Sequence, residues 1–202
     1  MMPLCATALF SGDGSGLWLL LLVLAALVIG LYLWGNARKG RTGKADRLQE
    51  TYKTMTRPLL DGIPDGELVN AVAANLLAKL DKRRPDAYQT IPALSRGRCA
   101  VYSVWMTTHE IETGGLAAYL SGPSGQFASL AADGCELVGA PECAAVLREA
   151  VREPLDGRAA AALQARFLEA AARENPLDGC REYIRNSPGE FLDEESPAEP
   201  AG

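Results

Sequence analysis

Asp65 to Lys82 reads DGELVNAVAANLLAKLDK. Leu68, Val72, Leu76 and Leu80 recur one turn apart, and Val69 and Leu77 widen the stripe, which is the spacing of one apolar helix face. Asp65 stands where a side-chain oxygen can cap the first free amides. The spacing therefore predicts a helix over about 65–82 with one side turned to a core. No segment alternates β-branched and polar residues, so the chain around it reads as all-α.

Downstream, Lys82 to Asp86 breaks the pattern, and a helix from about Ser95 to Glu112 carries Val101, Val104, Trp105, Thr108 and Ile111 on one face. Gly114 and Gly115 end it. Leu116 to Leu120 forms a brief helical turn before the breakers Ser121 to Gly125. Helices are then expected over Gln126 to Val138, from Pro141 onward, over Arg158 to Arg173, and briefly around Arg181 to Arg185. Ser187 to Gly202 is acidic and proline-bearing with little to bury, which predicts a disordered tail.

Upstream, Pro58 to Gly66 interrupts the pattern, and Ala45, Leu48, Tyr52 and Met55 space a short amphipathic helix. Gly35 to Lys44 is a glycine-rich basic linker. Before it, Gly16 to Trp34 (GLWLLLLVLAALVIGLYLW) holds no charge, and its nineteen residues reach roughly 28 Å as a helix, about one hydrocarbon core. Trp18 at one end and Tyr32 and Trp34 at the other suit the two bilayer interfaces. A cleaved signal peptide would need a basic start, a shorter apolar run and a small-residue cleavage site. None of these stands out, so the segment reads as a retained anchor. Arg38, Lys39, Arg41, Lys44 and Arg47 follow it and place the C-terminal side in the cytoplasm by the positive-inside rule. Ala26 and Gly30 form a small-xxx-small step that could pair two anchors.

The expected organisation is a short non-cytoplasmic tail (1–15), a single transmembrane helix in the cell inner membrane (16–34), a basic juxtamembrane linker with a short helix (35–59), one cytoplasmic multi-helix domain (60–192) and an acidic disordered tail (193–202). About 165 residues after the anchor suffice for one core and are too few for two. Charge is uneven: residues 35–98 hold 13 basic and 7 acidic side chains, residues 99–202 hold 7 and 17, and Asp13 completes the net −5.

Few residues carry chemistry. Cys99, Cys135, Cys143 and Cys180 lack metal-ligand spacing and read as buried thiols of a reducing compartment, and with His109 the only histidine no metal or cofactor is expected. Glu110 and Glu112, two apart on a helix, point away from each other. Gly122-Pro123-Ser124-Gly125 fails the spacing of a nucleophile elbow, which makes Ser124 a turn residue or cap. Gly12, Gly14 and Gly16 follow no strand and are no phosphate loop.

Glu110 to Gly125, EIETGGLAAYLSGPSG, resembles the hallmark segment of the bacterial DNA-mimic protein 19 C-terminal-like domain family, with Glu110, Ile111, Gly114, Gly115, Leu116, Tyr119, Leu120 and Gly125 as its matches or conservative replacements. Thr113 and Gly122 depart from the pattern at two Asn positions, and Leu116 replaces an aromatic. The likeness runs from about residue 60 to residue 192, including the Val138-Gly139-Ala140 turn. It implies an all-α domain, with a branch whose acidic surface imitates DNA, and architectural roles for Glu110, Gly114, Gly115, Tyr119 and Gly125 around a tight helix-to-helix turn.

The leading expectation is a membrane-anchored helical domain that binds a protein partner, not nucleic acid directly. One alternative is an acidic mimic that occupies a DNA-binding protein by presenting carboxylates at phosphate-like spacing. Against it, the same acids could simply solvate helices, with Arg148 and Arg152, and Glu149 and Glu153, on adjacent stripes. A second alternative is an enzyme with a dispersed site of His109, Glu110, Glu112 and Tyr119 at the Gly114-Gly115 turn.

Overall fold

The computed structural model describes residues 46–80, 91, 94–152 and 154–193, which from Arg47 on belong to one compact unit. Its helices are residues 46–51 (α1), Arg57–Gly62 (α2), Asp65–Lys79 (α3), Arg96–Gly114 (α4), Leu116–Ser121 (α5), Ala128–Leu137 (α6), Pro141–Ala150 (α7), Gly157–Glu174 (α8) and Pro176–Asn186 (α9). Single 3₁₀ turns lie at Pro123–Phe127 and Pro188–Phe191, and no strand occurs among the described residues.

Helix α4 is the axis of the unit. It packs against α3, α5, α6 and α9, and Ala100, Val101, Tyr102, Val104, Met106, Thr107, Thr108 and Ile111 are buried around most of its circumference. The amphipathic face read from the sequence is there, yet tertiary packing also covers Tyr102, Ser103, Met106 and Thr107. Small residues let α6 close on it. A Cβ on Gly134 would lie 2.9 Å from Val104 Cγ2 and 3.0 Å from the Ala100 carbonyl oxygen, so only glycine fits that crossing.

Local signals place the ends. Ser95 accepts from the Arg98 amide at 3.3 Å and Asp156 from the Ala159 amide at 2.7 Å, which caps α4 and α8. Helix α6 ends in a Schellman turn, with Ala140 N–H on the Cys135 carbonyl at 2.7 Å and Gly139 at φ 80°, and Pro141 opens α7. The start of α7 borrows its cap from another helix. Glu174, the last residue of α8, accepts from the Glu142 and Cys143 amides at 2.8 and 2.9 Å, where a negative charge also suits the helix dipole.

Several boundaries differ from the sequence reading. Pro58 starts α2 instead of only interrupting, because a proline in the first helical turn removes an amide that has no intrahelical partner anyway. Asp65 is the first residue of α3 and Pro64 precedes it as cap, since the Asp65 carboxylate is taken by Arg185 at 2.7 Å. The last helix is longer than Arg181 to Arg185. The largest correction concerns the tail: Ser187 to Asp193 is packed, with Phe191 fully buried and Asp193 hydrogen-bonded to three distant segments.

Among the described residues no helix is long and apolar enough to cross a membrane. The 16–34 stretch with Trp18, Tyr32 and Trp34, and the basic residues Arg38, Lys39, Arg41 and Lys44, lie outside the described residues. So do the Lys82 to Asp86 breaker, Glu153 and residues 194–202. Arg47 is described and exposed on α1.

Candidate functional site

The family-like segment forms the corner between α4 and α5. Gly114 closes α4, and Gly115 turns the chain at φ 87°, a conformation that favours glycine. Space gives a second reason for glycine there. The Gln164 side chain of α8 reaches into the corner, accepts from the Leu116 amide at 3.1 Å, and would meet a Gly115 Cβ at 2.8 Å. Gln164 was not foreseen from the sequence, because nothing local marks a residue 48 positions away as a cap.

Tyr119 is buried beneath this corner, its hydroxyl 2.7 Å from Thr107 Oγ1, and burial pushes its pKa up to about 12. Glu110 accepts from the Ser124 hydroxyl at 2.7 Å and so ties α4 to the following 3₁₀ turn. Gly125 seats that turn on α5, where a Cβ would come within 2.9 Å of Leu120 Cα. His109 is exposed and stacked on Trp105, and Glu112 is exposed. Among the described residues no hydrogen bond joins any two of His109, Glu110, Glu112 and Tyr119.

Beside the corner the surface opens into two depressions of about 510 and 440 Å³, which share Arg152 and Leu155. The first is lined by Ala117, Leu120, Gly125, Val151 and Pro154, the second by Ala159, Ala162, Leu163 and Arg166. Together they make a groove between α5, the end of α7 and the start of α8. Val151, 42 % exposed, stands at its edge as one of two large apolar side chains exposed to that degree among the described residues.

On another part of the unit, the Pro188–Phe191 turn and Asp193 form a strap. Glu190 accepts from the Gly97 amide at 2.6 Å and from the Tyr183 hydroxyl at 2.7 Å, so a carboxylate sits at the start of α4. Phe191 is buried edge-on to the Tyr183 ring. Asp193 accepts from Arg98 at 2.7 Å, Asn75 at 3.1 Å, the Met55 amide at 2.8 Å and Lys79. Burial and the neighbouring Arg98 guanidinium hold Lys79 down at about 8 although its ammonium meets that carboxylate.

The acidic surface is laced by arginines from other helices. Arg148 on α7 binds Asp133 and Glu136 of α6 at 3.1 and 2.5 Å, Arg166 on α8 binds Glu149 of α7 at 2.8 Å, and Arg173 binds Glu169 and Glu142. Of the expected stripes, Arg148 and Glu149 bridge to neighbouring helices, Arg152 follows the end of α7, and Glu153 lies outside the described residues. A carboxylate already held by a guanidinium presents little free charge to a partner's lysines. Cys135, Cys143 and Cys180 are buried and Cys99 half-buried; burial raises all four thiols, Cys135 and Cys180 to about 12, which keeps them protonated and unreactive.

A family model described as DMP19-like protein matches residues 92–196, just over half of the chain. The match takes in α4 to α9 and the strap; α1 to α3 precede it, so the expected start of the likeness at about residue 60 lies before the matched residues. No curated protein and no solved structure matches.

Proposed function

The chain belongs to the DMP19-like protein family, and we propose on that premise that its helical unit is a protein-interaction domain held at the inner membrane by residues 16–34, with the helices on the cytoplasmic side. One observation carries the interaction reading: the groove beside Gly125 leaves Val151 and the Arg152 guanidinium in solvent, in a unit whose other apolar side chains are largely packed. The family is not a known enzyme family. The membrane reading rests on the uncharged nineteen-residue stretch and its basic flank.

In-cell crosslinking and pull-down from membranes, with the full chain and a version lacking residues 1–35, tests both parts. The reading expects a protein crosslinked to the helical unit, and a chain that stays in the membrane pellet after carbonate washing only when residues 1–35 are present. A full chain that washes off overturns the anchor, and a chain that crosslinks to no protein overturns the interaction domain.

A second reading, an acidic mimic of DNA, draws on the 17 acidic against 7 basic residues in 99–202. Its signature in the same experiment is a basic DNA-binding protein that duplex DNA competes away in a salt-sensitive manner. The arginine bridges between α6, α7 and α8 weigh against it, because a mimic needs those carboxylates unpaired.

A further inference from the structure

We propose that the groove between α5, α7 and α8 takes an apolar peptide segment that carries a carboxylate, and that Arg152 is the residue that reads that carboxylate. The inference deepens the protein-interaction reading and rests on it. Its starting point is how the arginines are used. Arg57, Arg98, Arg148, Arg166, Arg173, Arg181 and Arg185 each hold a carboxylate within the unit. Arg47, Arg96, Arg152 and Arg158 have no ion pair among the described residues. Of these four, only Arg152 lines the groove, and it lines both depressions.

The rest of the lining is mostly apolar, with Ser121, Glu149 and Arg166 as its polar members. Leu120, Val151, Leu155 and Leu163 line it together with small alanines, so the groove offers apolar contact to the side chains of a bound segment. Arg166 closes the far end, but Glu149 neutralises it at 2.8 Å. A planar cation with no ion pair among the described residues, set beside apolar side chains, is complementary to one carboxylate flanked by apolar residues. A nucleic-acid backbone would need a track of cations, which this groove lacks. Residues 194–202 (EESPAEPAG) supply acid but no apolar side chain larger than proline to fill it.

The full chain in nanodiscs, panned against a phage library of random dodecapeptides, tests the inference. The enriched peptides are expected to combine at least two large apolar residues with an Asp or Glu. Measured by fluorescence anisotropy with the synthetic peptide, Arg152→Glu is expected to weaken binding at least tenfold, and a peptide with Lys in place of the acid to recover it on that variant. Arg158→Glu, outside the lining, is expected to change affinity less than twofold. Peptides that lose binding in Leu155→Glu yet ignore Arg152→Glu would overturn the acidic ligand and leave the interaction reading standing. No enrichment, or binding indifferent to both substitutions, would overturn the groove itself; thermal melts of each variant separate these results from misfolding.

Discussion

The strap and the groove lie on one helical unit and treat their cations in opposite ways. At the strap, Lys79 and Arg98 converge on Asp193, Glu190 occupies the start of α4, and Phe191 fills the space beneath. At the groove, Arg152 is exposed beside apolar lining residues. Where charge is matched and the apolar group buried, the contact contributes to folding; where both are left open, the surface is available for another molecule. The difference separates stability from recognition residue by residue.

The strongest way to break this contrast is Phe191→Ala. Removing a fully buried aromatic is expected to cost about 3–5 kcal/mol, read as a lower urea midpoint, while the folded fraction binds the groove peptide unchanged. Loss of peptide binding in that folded fraction would show that the two regions are coupled. Next is Asp193→Asn, which leaves Lys79 and Arg98 facing each other without a counter-charge and is expected to cost roughly 1–3 kcal/mol, partly restored by added salt. A variant as stable as the parent would demote the strap to a loose tail.

Arg152→Glu and Leu155→Glu sharpen the contrast from the other side. Arg152→Glu is expected to shift stability by no more than about 1 kcal/mol because Arg152 is exposed, and Leu155→Glu by roughly 1–3 kcal/mol because Leu155 packs partly buried against the core, both read by chemical denaturation. The smallest effect concerns pH. Lys79 titrates near 8 in the folded chain and near its ordinary 10.5 when unfolded, so between those values the unfolded state binds more protons and the folded state gains stability as pH rises. Thermal melts at pH 7 to 10 should show the parent gaining on Lys79→Met through that window, and parallel curves would remove the charge cost assigned to Lys79.

The helices were legible where local chemistry sets them. Pro141 opens α7, Gly115 closes α4, and the Leu68 to Leu76 stripe is buried in α3, because cap, φ and period act within a few residues. What remained hidden depends on partners far along the chain. Gly-Glu-Phe-Leu-Asp at 189–193 has the composition of a solvated tail, and Met55, Asn75, Lys79, Gly97 and Arg98, about 93 to 138 positions away, help make it a packed strap. The stripes through Arg148 and Glu149 do not foretell that these two side chains reach α6 and α8. The groove was invisible for the same reason, since Ala117, Val151 and Leu155 meet only after three helices are in place.

Met55 and Asp193 bond in both directions: the Asp193 amide donates to the Met55 carbonyl at 2.9 Å and the Met55 amide to the Asp193 carboxylate at 2.8 Å. The segment before α2 and the strap, 138 positions apart, are therefore stitched together at one point by backbone and side chain. A chain cut in the turn between α6 and α7 would leave its two pieces still joined at that stitch, since Met55 lies on one piece and Asp193 on the other.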